Sequence, residues 1–129
     1  MPLQQPCPCG SQKTYDQCCA PLHHGTRLPH TAEELMRSRY SAYVLGLDDY
    51  LKATWHPATR PATLDLDATP RPQWLGLTVK LHTPLDDQHA TVEFVARYKL
   101  NGRAFKLHET SHFERLEGRW LYIDGEMLD

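Results

Sequence analysis

With 129 residues, 40% of them apolar and 23% charged, the chain has enough hydrophobic content for one folded domain and no room for a second sizeable core. Its 14 Lys and Arg against 16 Asp and Glu give a net charge of −2, so no global positive field draws a polyanion, and general nucleic-acid binding is not expected. No apolar run reaches the roughly 18 residues of a membrane span, and residues 1–5 show no basic leader followed by a hydrophobic stretch; a cytoplasmic protein without a membrane partner is the expectation.

All four cysteines fall between positions 7 and 19, as Cys7-Pro8-Cys9-Gly10-Ser11 and, eight residues later, Cys18-Cys19. Disulfides that staple a fold close long loops, and bridges among these four would close very short ones. Four thiolates so close in sequence supply instead the whole tetrahedral shell of one zinc ion, with metal–sulfur bonds of about 2.3 Å. Gly10 provides the residue tolerant of positive φ that a sharp reversal after a ligand requires. Ser11 is placed to cap a short helical turn from Lys13 to Gln17 that returns Cys18 and Cys19 to the ion. A zinc ion with four protein ligands keeps no open position, which predicts a structural or partner-facing site that does no chemistry itself.

The stretch Pro6-Cys7-Pro8-Cys9-Gly10-Ser11 with Cys18-Cys19 resembles the SEC-C zinc motif, a small knuckle also found at the C-terminal end of the SecA translocase. The resemblance implies ligation by Cys7, Cys9, Cys18 and Cys19. Because the last ligand is His in some members of that family, His23 and His24 stay open as alternatives. It also implies a protein or ribosome-associated partner for the knuckle.

Downstream, Ala20 to His30 carries two prolines and a glycine without periodicity and reads as a linker. Thr31 with Glu34 forms a capping box that opens a helix over Ala32 to Leu45, closed by Gly46. Leu35, Met36, Tyr40, Tyr43, Val44 and Leu47 recur with a 3.6-residue period and make its buried face, leaving Arg37 and Ser41 outward. Asp48 or Asp49 caps a second helix through Tyr50, Leu51 and Thr54 that stops at Trp55-His56-Pro57, because proline disfavours helix in the residue before it. Ala58 to Gln73, with Pro61, Pro70 and Pro72, is a long irregular connection.

From Trp74 the period changes to two. Leu75, Leu77, Val79 and Leu81 mark one inward face, and Val92, Phe94, Ala96 and Tyr98 the next. Asn101-Gly102 turns into a strand from Ala104 to Arg115, and Glu117-Gly118 turns into a last strand from Trp120 to Asp124. The fold class is therefore α+β: helices packed on a curved, four-stranded antiparallel sheet, preceded by a short zinc knuckle.

That order, together with Met36-Arg37-Ser38-Arg39-Tyr40-Ser41-Ala42, Thr54-Trp55-His56-Pro57, Trp74-Leu75-Gly76-Leu77 and Tyr122-Ile123-Asp124-Gly125, resembles the bacterial YchJ family over nearly the whole chain. The resemblance implies a cystatin-like cone of the nuclear-transport-factor-2-like fold at 31–129, after a knuckle at 1–24 and a linker at 25–30. It carries no settled activity with it.

Within the cone, Glu109 and Ser111 share the parity of Phe105, Leu107 and Phe113, which sets a carboxylate and a hydroxyl on the apolar face. A carboxylate there needs a partner. Arg39, at the edge of the helix stripe, reaches it in one reading as a buried ion pair; in the other, Glu109 lines an open pocket as acid, base or ligand anchor. His56, beside Trp55, either caps carbonyls at the helix end or presents an imidazole at the cavity mouth for proton transfer. Arg39, Trp55, Tyr98, Ser111, Tyr122 and Asp124 complete the candidate pocket, while His108 and His112 fall on the opposite, surface face with Trp120. Two functions follow: a zinc-binding interaction module with a small-molecule pocket in its core, or an enzyme doing acid–base or hydrolytic chemistry with Glu109 and His56.

Overall fold

A computed structural model describes residues 5–62, 64 and 72–128. Of the irregular connection expected from Ala58 to Gln73, residues 63 and 65–71 lie outside that description. The elements run as a 3-10 turn, Tyr15–Gln17, three helices, α1 (Cys19–His23), α2 (Ala32–Leu45) and α3 (Asp48–Ala53), and four strands, β1 (Gln73–Pro84), β2 (His89–Leu100), β3 (Arg103–Leu116) and β4 (Arg119–Met127). The strands form one antiparallel meander in the order β1-β2-β3-β4.

Local signals set most of these bounds. The Thr31 side chain accepts the Glu34 N–H, and Gly46 ends α2 in the left-handed conformation that only glycine adopts cheaply. The Glu34 carboxylate reaches back to the N–H of His30, one residue before the cap, so the capping box closes one position early. Asn101-Gly102 and Glu117-Gly118 each hold two consecutive positive φ angles, the primed turn whose twist matches paired strands. Neither Asp48 nor Asp49 caps α3: its N-cap is Leu47, without a side-chain bond, and both carboxylates lie in the first turn.

The main core lies between α2 and the inner face of the sheet, where Leu35, Val92 and Phe113 are fully buried. Each contributes about 1.5–3 kcal/mol relative to leaving it in water. Trp120 belongs to this core and donates its Nε1–H to the His30 carbonyl, so it is not on the outer face as the sequence had suggested. In β1 the strict alternation fails. Register shifts between Trp74 and Gly76 and between Val79 and Leu81 put Trp74 inward and leave Leu75 and Leu81 exposed. Two bulges, invisible to a period-two count, cause this.

The cysteine segment forms a second small core of Cys7, Cys9 and Cys19, flanked by Tyr15 and Cys18. It continues into α1, so Ala20 to His23 is helical where a linker was expected. The segment seats on the side of α2 that the periodicity assigned to solvent. Ser41 is fully buried there, and Arg37 is half-buried with its Nη1 donating to the Cys9 carbonyl at 2.8 Å. A helix expected to bury one face buries two.

Candidate metal centre and core cavity

Pro6 bridges Thr14, and the Cys7 N–H bonds to the Lys13 carbonyl, which draws the ends of the first loop together. Gly10 turns that loop at φ +78°, and a Cβ there would stand 3.2 Å from the Leu77 carbonyl oxygen, so a close approach to β1 adds to the demand for glycine. The 3-10 turn then presents Cys18 and Cys19. The four sulfurs lie within 4.8 Å of one another.

Cys9 Sγ and Cys18 Sγ are 3.6 Å apart, and Cys18 Sγ and Cys19 Sγ 3.9 Å. A tetrahedral tetrathiolate site with metal–sulfur bonds of about 2.3 Å has edges of about 3.8 Å. The donor set therefore fits a metal ion in spacing as well as chemistry, and all four thiols are free. Three of them are buried and Cys18 is half-buried, as in a closed structural site.

Hydroxyls surround the sulfurs. Ser41 Oγ donates to Cys19 Sγ at 3.3 Å and lies 3.5 Å from Cys7 Sγ, while Ser11 Oγ is 3.1 Å from Cys18 Sγ. Ser11 does not cap the turn, whose N-cap is Thr14; its oxygen takes the Lys13 N–H and its hydroxyl faces sulfur. Outer-sphere donors of this kind offset the charge that four thiolates concentrate. Donation from the Cys19 and Cys9 thiols draws Cys7 well below the ordinary thiol range. The same contact with Cys7 drives Cys19 far up, and burial raises Cys18 to about 11. Because the ligand form of cysteine is the thiolate, uptake of a dication here releases protons.

Neither histidine competes for the site. His23 donates from Nε2 to the Ser38 carbonyl at 2.8 Å and accepts the Tyr15 hydroxyl at Nδ1 at 2.7 Å; His24 is exposed. Burial lowers the pKa of His23, which fits its neutral, doubly bonded state.

On the other side of α2 a cavity of about 290 Å³ opens against the sheet. Met36, Arg39, Tyr40 and Tyr43 come from the helix, with Trp74, Phe94 and Leu107 as apolar walls and Glu109, Ser111 and Tyr122 as polar ones. The ion pair between Arg39 and Glu109 does not form. Arg39 Nη1 donates to the Leu51 carbonyl at 2.9 Å and to Thr54 Oγ1 at 2.7 Å, and its guanidinium stacks on Trp55 and Tyr122, 4.9 and 4.6 Å from their centroids. Glu109 Oε2 accepts the Ser111 hydroxyl at 2.7 Å. Burial, with the Glu109 charge nearby, raises the pKa of Tyr122 and keeps its phenol protonated.

The other candidates are dispersed. Trp55 lies behind Arg39, edge-on to Tyr122, its indole N–H buried and without an acceptor among the described residues. Tyr98 stacks on Phe105 and packs against Trp74. Asp124 is turned outward and pairs with His112 Nδ1 at 2.7 Å. His56 accepts the Ala58 N–H at Nδ1 and donates from Nε2 to Glu114 at 2.9 Å. Glu114 has the opposite parity to Glu109 on β3, so His56 and Glu109 do not share a site. His108 is outward too, bonded to Glu93 at 2.7 Å.

Sequence reasoning missed Ser41 and Gly125. Ser38 and Ser41, three apart and opposite the apolar stripe, were the available sign of a second packed face. Gly125 lies inside β4, and a Cβ there would collide with the Glu109 carboxylate. Glycine within a strand often marks such a close approach.

Comparison with known proteins assigns both parts. Residues 31–125 match the model described as YchJ, middle NTF2-like domain, and residues 5–21 match the SEC-C motif. A UPF0225 protein of Ralstonia nicotianae is 56% identical over 94% of this chain and 90% of its own length, and one of Streptomyces coelicolor is 50% identical over 96% and 97%. The solution structure of a SEC-C motif containing protein from Rhodopseudomonas palustris superposes with a TM-score of 0.85 at 40% identity, covering 95% of this chain and 98% of that one. A crystal structure of a SEC-C motif containing protein from Psychrobacter arcticus gives 0.81 at 33% identity, covering 100% and 86%.

Proposed function

Because the chain belongs to the YchJ family, UPF0225, we propose that it is a zinc-clamped small-ligand protein, in which the knuckle is a structural layer and the cavity under α2 is the working site. The observation that carries this is the double burial of α2, with the cysteine cluster on one side and, on the other, a cavity lined by Arg39 and Glu109, neither of which forms an ion pair among the described residues. Zinc is the ion that four thiolates at this spacing suit best, and when bound it supplies a rigid tetrahedral cross-link and no reactive position. Free thiols in such a cluster suit a reducing compartment such as the cytoplasm. No helix among the described residues is long and apolar enough to cross a membrane.

Partner capture by the knuckle is left to its exposed rim, Gln12, Lys13, Asp16 and Gln17, since the ligands themselves face inward. Acid–base catalysis by Glu109 with His56 has no shared centre to work from. The test is elemental analysis together with native mass spectrometry of protein purified without chelator. One zinc per chain and a copurifying mass of small-molecule size support the proposal. Metal-free protein that keeps the same melting temperature, with no ligand adduct under any purification, refutes it.

A further inference from the structure

Arg39 is 4% exposed, and the groups around it are a carbonyl, a hydroxyl and two aromatic faces, with the Tyr43 hydroxyl beside them. None carries a full negative charge, and among the described residues no carboxylate comes within 4.0 Å of it. A buried guanidinium without a counter-ion is costly, and burial already pulls its pKa down. Glu109 spends one oxygen on Ser111, and its Oε1 makes no hydrogen bond among the described residues. The slot above Gly125 sets its position: Gly125 has no positive φ to explain the glycine, so the space its missing Cβ leaves for the carboxylate is the reason it fits there.

One cavity thus presents a cation and an anion that do not neutralise each other. A simple anion on Arg39 would meet Glu109, and a simple cation on Glu109 would meet Arg39. A molecule carrying both charges satisfies both. At about 30 Å³ for each water displaced, 290 Å³ is the space of about ten waters, which suits a molecule of about ten non-hydrogen atoms. Trp74, Tyr40 and Phe94 offer its body an apolar, aromatic wall. We propose that the cavity takes a small zwitterion of the amino-acid type with an apolar or aromatic side chain, its carboxylate on Arg39 and its ammonium on Glu109; this rests on the reading of the cavity as the ligand site.

The test titrates apolar and aromatic L-amino acids, with phenylalanine as the lead probe, into the zinc-loaded full chain labelled with nitrogen-15. Phenylalaninamide, which lacks the carboxylate, N-acetylphenylalanine, which lacks the ammonium, and neutral benzyl alcohol run beside them. Changing the probe leaves the fold untouched. Saturable shifts of the Trp74 indole, Ser111 and Gly125 signals are expected with at least one amino acid, weakened about tenfold or more by removing either charge. Amide and N-acetyl forms that bind as well as the parent overturn the zwitterion. If no amino acid moves these signals but benzyl alcohol does, the ligand class fails and the cavity reading stands; if nothing moves them, both fail.

Discussion

Stripping the metal should destabilise the whole protein and not merely fray its first 24 residues. The seam between the knuckle and α2 holds the Arg37 to Cys9 carbonyl bond at 2.8 Å, the His23 to Ser38 carbonyl bond at 2.8 Å and the Ser41 to Cys19 contact at 3.3 Å. At about 1 kcal/mol net each, these contribute about 3 kcal/mol. Leu22, buried on α1 where that helix packs against α2, adds about 2. Releasing the segment therefore costs about 5 kcal/mol, comparable with the entire margin of many domains. For a chain of this length each kcal/mol moves the midpoint by roughly 3–5 °C, so chelation should lower Tm by roughly 15–25 °C. Differential scanning calorimetry of zinc-loaded and chelated samples, kept reduced, reads this directly. The coupling argument is wrong if the chelated protein melts within about 5 °C of the loaded form, or if a small early transition separates from an unmoved main one.

Four further outcomes follow from single contacts. Gly125→Ala should leave the fold intact at a cost of about 1 kcal/mol, because the colliding Glu109 carboxylate ends a flexible side chain, and should displace that carboxylate, visible in the chemical shifts of its side chain. Phe113→Ala empties a fully buried site and should cost about 3–5 kcal/mol in urea melts. His23 has its pKa depressed by burial, so its contribution is present above the unfolded value near 6.5 and is lost as pH falls below it; His23→Asn should flatten the stability–pH slope of the zinc-loaded protein below about pH 6.5. Glu114→Gln removes a half-exposed partner of His56 and should change stability by less than about 1 kcal/mol while leaving the cavity signals unmoved; a loss of ligand response would place His56 in the site after all.

The frame was legible because its signals are local. Thr31, Glu34 and Gly46 bound α2 through hydrogen bonds and φ angles that sequence dictates within a few residues, and Asn101-Gly102 and Glu117-Gly118 do the same for two hairpins. The cysteine cluster was legible for the same reason, since its four cysteines sit on one short loop and one turn. What failed was long-range. The parity of β1 depends on two bulges opposite β2, and the partner of Arg39 depends on where α3 places the Leu51 carbonyl and Thr54 hydroxyl. Asp124 changed faces because β4 has a register shift opposite His112 and Phe113, again a property of two strands together. Ser41 was assigned to solvent because a single apolar stripe presumes one partner layer, and this helix has two.

That second layer explains why so small a knuckle is joined to the cone. A 14-residue helix is marginal alone in water and depends on what it packs against. The sheet covers one side of α2, but Met36, Arg39, Tyr40 and Tyr43 there border a cavity, so part of that side lacks the dense contact that would hold a helix in place. Holding it from behind with the cysteine loop, which a bound metal would cross-link, would allow the cavity to stay open without costing the helix its position. The residues alternate accordingly along one turn: Arg37 and Ser38 reach the knuckle, then Arg39 and Tyr40 line the cavity, then Ser41 returns to sulfur. On the proposed reading, an ion held by the four cysteines would fix Arg39 through the backbone that α2 shares, and would then be a condition of the cavity's geometry rather than a participant in whatever binds there.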